Sequence, residues 1–79
     1  MEIKILGMGC PNCLRLENNV KTALTNCGID AKVTKVTDIS DIMQYGIVST
    51  PGLVIDEKVV SYGKVNEVDD IVNILNQYK

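Results

Sequence analysis

Four residues, Cys10-Pro11-Asn12-Cys13, stand between a short apolar run, Ile3-Lys4-Ile5-Leu6, and a segment with helical periodicity. Gly7-Met8-Gly9 closes the apolar run and frees the backbone to turn. Beyond the motif, Cys13, Leu16, Val20, Ala23, Leu24 and Cys27 fall on one helical face, which predicts an amphipathic helix from about Pro11 to Asn26. Pro11 suits the first helical position, where a missing N–H is no loss, and Gly28 suits the position just past the end. The run before the motif is a strand candidate, so the sequence delivers two thiols from a strand to the mouth of a helix.

That placement has chemical content. With Cys10 as N-cap, its sulfur lies over the unpaired N–H groups of Asn12 and Cys13 and feels the positive end of the helix dipole. Both favour the thiolate, so the pKa of Cys10 is expected to fall below the free value of ~8.5. Asn12 adds no charge, which leaves the tuning to backbone amides and dipole. Cys13 shares the helical turn but lies on the apolar stripe, and is expected to be the more buried, less acidic thiol. Cys10 is thus the candidate nucleophile, and Cys13 the thiol that attacks the mixed disulfide and closes a Cys10–Cys13 bond. Cys27, in the last turn of the same stripe, reads as a structural core cysteine.

Composition narrows the function classes. The 79 residues carry ten acids and eight bases, a net charge of −2, with no basic cluster, which argues against a nucleic-acid partner. No apolar run approaches the ~20 residues that a bilayer crossing needs, so no membrane role is expected. The start has no charged segment followed by a long apolar stretch, and the expected location is the cytoplasm. There a CxxC pair is catalytic or metal-binding rather than a structural staple. The length corresponds to one small domain spanning residues 1–79.

Ile29, Ala31 and Val33 alternate with polar residues, predicting a second strand that runs to about Val36. Asp38, with Asp41 three residues on, would cap a brief helix through Tyr45 that Gly46 ends. Leu53-Val54-Ile55 and Val59-Val60, joined through Asp56-Glu57-Lys58, read as a hairpin. Val68, Ile71, Val72, Leu75 and Tyr78 form a closing helix, with Asn66 as its expected cap. The predicted order is β-α-β-α-β-β-α.

A CxxC after the first strand, with Thr50-Pro51 ahead of the third, resembles the thioredoxin superfamily across nearly the whole chain. It is most similar to the very small thioredoxin- or glutaredoxin-like redox-active disulfide proteins. Thr50-Pro51-Gly52-Leu53-Val54-Ile55-Asp56, followed by Val59-Val60-Ser61-Tyr62-Gly63, is similar to that family's cis-proline, hairpin and glycine run. The resemblance implies an α/β fold with a central four-stranded mixed sheet flanked by three helices. It implies thiol–disulfide exchange by Cys10 as nucleophile and Cys13 as resolving thiol, with Pro11 and Asn12 in support. The Thr50 backbone, beside Pro51, would pair with an extended substrate segment. The implied partners are a disulfide-containing protein and an upstream thiol reductase, with no cofactor and the chain acting as a monomer. The chain departs from full-length thioredoxins in having Gly9, not Trp, before the first cysteine, and no evident buried acid for the resolving step. It departs from glutathione-using glutaredoxins in having Gly63 followed by Lys64, where they carry a Gly-Gly pair.

Gly7-Met8-Gly9-Cys10-Pro11-Asn12-Cys13 is also similar to the Gly-Met-x-Cys-x-x-Cys loop of heavy-metal-associated domains, whose two thiolates hold Cu(I). Three cysteines and no histidine cannot fill a tetrahedral zinc site alone. Heavy-metal domains run β-α-β-β-α-β and end in a strand, whereas this chain is predicted to end in an amphipathic helix. The redox reading is therefore preferred, with soft-metal carriage as the alternative.

Overall fold

A computed structural model describes residues 1–47 and 49–78. Its elements are β1 (Glu2–Leu6), α1 (Pro11–Cys27), β2 (Lys32–Val36), α2 (Ile39–Gln44), β3 (Gly52–Ile55), β4 (Lys58–Tyr62) and α3 (Val68–Gln77). The strands form one sheet in the order β2-β1-β3-β4. β1 and β2 run parallel, as a connection through a helix allows, and β1–β3 and β3–β4 are antiparallel. The predicted element order and the mixed four-stranded α/β architecture are both present.

The pleat of β1 divides the interior. Ile3 and Ile5 point to one face, where they pack with Leu16, Val20, Ala23 and Leu24 of α1 and with Ile71 and Leu75 of α3. Leu6 joins Ile42, Ile47 and Val54 on the other face, beneath the single short helix α2. Every residue of β3 is buried, as expected of a strand inside the sheet with helices on both sides.

The helix punctuation follows from local chemistry. Gly28 adopts the left-handed conformation (φ 66°) at the end of α1, and the N–H of Ile29 reaches back to the Leu24 carbonyl at 3.1 Å. That use of Ile29 corrects the expected second strand, which begins at Lys32; Ile29 and Ala31 still pack against the core, but outside the ladder. Asp38 caps α2 as expected, its Oδ1 accepting the Ser40 N–H at 2.8 Å. Asn66 does not cap α3. The cap is Glu67, with no side-chain hydrogen bond, while Asn66 is buried and its carbonyl accepts from Asn19 Nδ2 at 2.8 Å.

The hairpin turn is two residues rather than three. Asp56 (φ 49°) and Glu57 (φ 69°) are both left-handed, the pattern of a tight turn matched to strand twist, and Lys58 already pairs with Ile55. Lys4 ties this turn to the sheet by bonding Glu57 and, at 3.0 Å, the Tyr45 hydroxyl. In β4, Leu53 faces Ser61 and Val54 faces Val59, so Val60 is an extra residue that bulges the strand.

Candidate active site

The two thiols sit where β1 hands over to α1. Cys10 is extended (φ −68°, ψ 161°), Pro11 is the first helical residue, and Cys10 Sγ accepts the Cys13 N–H at 3.3 Å. Of the two amides expected to reach this sulfur, Cys13 supplies the bond. The cysteines are joined as a disulfide with their Cα atoms 5.1 Å apart. Their surroundings differ as the helical stripe predicts: Cys10 is half-buried, whereas Cys13 is 5% exposed. Pro11 and Asn12 are exposed on the outside of the same turn.

Thr50 and Pro51 reach the same end of the sheet. The β1–β3 register pairs Leu6 with Gly52, so the entry to β3 emerges beside the end of β1. The Thr50–Pro51 peptide is cis, with Pro51 buried and Thr50 exposed. The Pro51 carbonyl accepts the Gly63 N–H at 2.9 Å, which fastens this segment to the end of β4. Cys27 lies at the opposite end of α1, half-buried against the core and free.

The sequence reading missed Glu17. It lies one turn beyond Cys13 and is buried, its carboxylate 3.3 Å from Lys21 Nζ and 3.5 Å from Lys35 Nζ on β2. The signal was available: 13, 17, 20 and 24 are themselves a helical series, so position 17 belongs to the inward face whatever residue fills it. On the other face of the sheet, hydrogen bonds to Glu57 and then Tyr45 hold the Lys4 ammonium well above the ordinary lysine range. The same Lys4 bond, followed by that of the Tyr45 hydroxyl, holds the Glu57 carboxyl below its ordinary range.

Among the described residues, no group of three or more His, Cys, Asp or Glu is arranged to hold a metal, and no helix is long and apolar enough to cross a membrane.

A close cysteine pair at a helix N-terminus, on a mixed sheet with helices on both faces, defines a two-electron dithiol/disulfide centre. The comparisons agree. The thioredoxin domain family model matches residues 1–76. A thioredoxin of Methanocaldococcus jannaschii is 42% identical over 76 residues, covering 96% of this chain and 87% of that protein. A thioredoxin of Methanothermobacter thermautotrophicus is 37% identical over 76 residues, covering 96% of this chain and 99% of the relative. The structure of thioredoxin 1 from Thermosipho africanus superposes with a TM-score of 0.66, at 20% identity, over 99% of this chain and 93% of the other. The chain belongs to the thioredoxin domain family, and its activity is thiol–disulfide exchange. Soft-metal carriage, the alternative raised by the GMGCPNC loop, is not favoured.

Proposed function

We propose that Cys10 is the attacking thiol and Cys13 the resolving one, within a single domain over residues 1–79. In the reductive direction, the Cys10 thiolate attacks one sulfur of a substrate disulfide. The substrate S–S bond breaks, one substrate sulfur leaves as thiolate and takes a proton, and a Cys10–substrate mixed disulfide remains. Cys13 then gives up its proton and attacks the Cys10 sulfur. The mixed disulfide breaks, the second substrate thiol departs, and Cys10–Cys13 closes. Two electrons and two protons pass to the substrate, and an upstream dithiol reductase restores the pair. Thr50, beside Pro51, would offer its backbone to an extended protein segment carrying the disulfide, with Pro11 and Asn12 shaping the turn that presents Cys10. This chemistry needs no bound cofactor. A soluble, cytoplasmic monomer suits it.

The observation that carries the reading is the asymmetry of the pair. Cys10 is half-exposed at the helix N-terminus with a backbone N–H aimed at its sulfur, and Cys13 is enclosed behind it. In the test, Cys13→Ser and Cys10→Ser variants are incubated with a disulfide-bonded protein and resolved without reductant. Cys13→Ser is expected to accumulate a covalent complex through Cys10, and Cys10→Ser none. Equal trapping by the two variants would refute the assignment.

A further inference from the structure

Of the six glycines, four are explained by backbone conformation and two, Gly7 and Gly52, by space. Gly9, Gly28, Gly46 and Gly63 have φ between 66° and 86°, and each is explained by a turn that other residues adopt poorly. Gly7 is not left-handed, so its backbone conformation is open to any residue. What forbids a side chain there is space. A Cβ built on Gly7 falls on the Cys13 sulfur and comes within 3.2 Å of Cys13 Cβ. Gly7 is also buried, three residues before Cys10.

Neither side of this contact is free to back away. The Gly7 N–H is bonded to the Val36 carbonyl of β2 at 3.0 Å, and the preceding residue, Leu6, is fully buried in the sheet. Across from it, the first turn of α1 is closed by the Leu14 N–H on the Cys10 carbonyl at 3.1 Å and by the Cys13 N–H on Cys10 Sγ. The mobile atom is the Cys13 sulfur. Cys13 lines a cavity of about 110 Å³ whose other walls are Ile5, Gly7, Gly9, Leu14, Lys35 and Thr37. Any rotation of Cys13 that relieves the overlap takes its sulfur off the position at which it bonds Cys10.

We propose that Gly7 is a positioning residue for the resolving step: the space left by its absent side chain holds the Cys13 sulfur in line with Cys10. This rests on Cys13 being the resolving thiol. A methyl group at position 7 displaces that sulfur. The dithiol tolerates this, since its sulfurs need not touch, whereas the disulfide requires both sulfurs in one bond. Attack by Cys10 on an external disulfide is untouched, because Cys10 lies outside the contact.

The test uses Gly7→Ala in a Cys27→Ala background, reduced and mixed with an aromatic disulfide whose thiolate is coloured. Cys10 attack releases the first thiolate and ring closure by Cys13 releases the second, so the two steps are read as two phases. The first phase is expected to stay within about twofold of the parent and the second to slow at least about tenfold. Equilibration with a reference dithiol should show the disulfide form disfavoured by about tenfold, a potential about 30 mV more oxidising. Unfolding of the oxidised protein in urea then separates placement from general damage: the stability lost on Gly7→Ala should largely disappear when the same substitution is made in a Cys13→Ala protein. Equal slowing of both phases would overturn the proposal. So would an unchanged second phase, or the same loss of stability with and without the Cys13 sulfur. Should Gly7→Ala alone fail to fold, a folded Gly7→Ala/Cys13→Ala protein supports the proposal and an unfolded one overturns it. A parent protein that shows only one phase overturns the role of Cys13 itself, and the urea comparison still decides whether Gly7 makes room for its sulfur.

Discussion

Replacing Glu17 sets two effects of similar size against each other, and the structure bounds the outcome. Its side chain is 11% exposed, while the two lysines that meet it are 60% and 55% exposed. Each ion pair is therefore governed by solvent on the lysine side and contributes about 0–1 kcal/mol. Against this stands the cost of holding a carboxylate in the stripe between Cys13 and Val20, which an apolar residue does not incur. Methionine keeps the two methylenes already packed there and adds about one methylene's worth of burial, ~0.8 kcal/mol. Glu17→Met should accordingly change stability by no more than about 1 kcal/mol in either direction. Glu17→Ala forfeits both methylenes, about 1.6 kcal/mol, together with the pairs, and should cost about 2–3 kcal/mol. Urea unfolding of the reduced protein at low and at high salt measures this. High salt should move the comparison in favour of Met, because screening weakens only the wild-type pairs. A loss of about 3 kcal/mol or more in Glu17→Met, independent of salt, would refute the reasoning and make the carboxylate a specifically bonded part of the core.

Leu16→Ala removes a fully buried side chain from between α1 and the sheet, so a loss of about 2.7–5.0 kcal/mol is expected by urea unfolding; a loss under about 1 kcal/mol would show that α1 is not anchored there. Mass mapping after mild oxidation should find Cys10–Cys13 as the sole internal disulfide with Cys27 reduced, and a dominant bridge through Cys27 would contradict the site. Because the Glu57 carboxyl is held low by Lys4 and then Tyr45, its contribution to stability is present above the ordinary Glu value of ~4.3 and is lost as pH falls through the lower folded value. Glu57→Gln should therefore show a shallower acid limb in urea midpoints, and superposable limbs would count against the network. The raised Lys4 has the opposite sign: its contribution is complete below ~10.4 and fades only as pH climbs through the folded value, so Lys4→Met should flatten the alkaline limb.

Much of the fold was legible because its signals are local. Pro11 and Gly28 bracket α1 through the two backbone properties in which they differ from other residues, and Asp38 marks α2 through a side-chain oxygen within reach of a nearby N–H. The thiol pair was legible for the same reason, since the difference in burial between Cys10 and Cys13 follows from the helix they begin. What failed depended on contacts between one element and the next, near or far in sequence, which no residue's own pattern shows. Ile29 alternates like a strand residue but is taken by the helix it follows. Asn66 has a capping side chain, yet its place is set by Asn19, 47 positions away. Gly7 was read as freedom for a turn, when what it supplies is room for a sulfur on the next element.

The bulge at Val60 has a consequence outside the chemistry of the thiols. β4 is an edge of the sheet, and an edge with evenly spaced donors and acceptors is a template on which another chain's strand can grow. At Val60 the spacing slips by one residue, so a strand laid along β4 in register with one half is out of register with the other. Lys58 and Lys64 flank this edge and would set like charges against each other in an antiparallel copy. At the opposite edge, β2 carries Lys32 and Lys35. A chain that exchanges disulfides at one end of its sheet thus has sheet margins that discourage stacking into fibres.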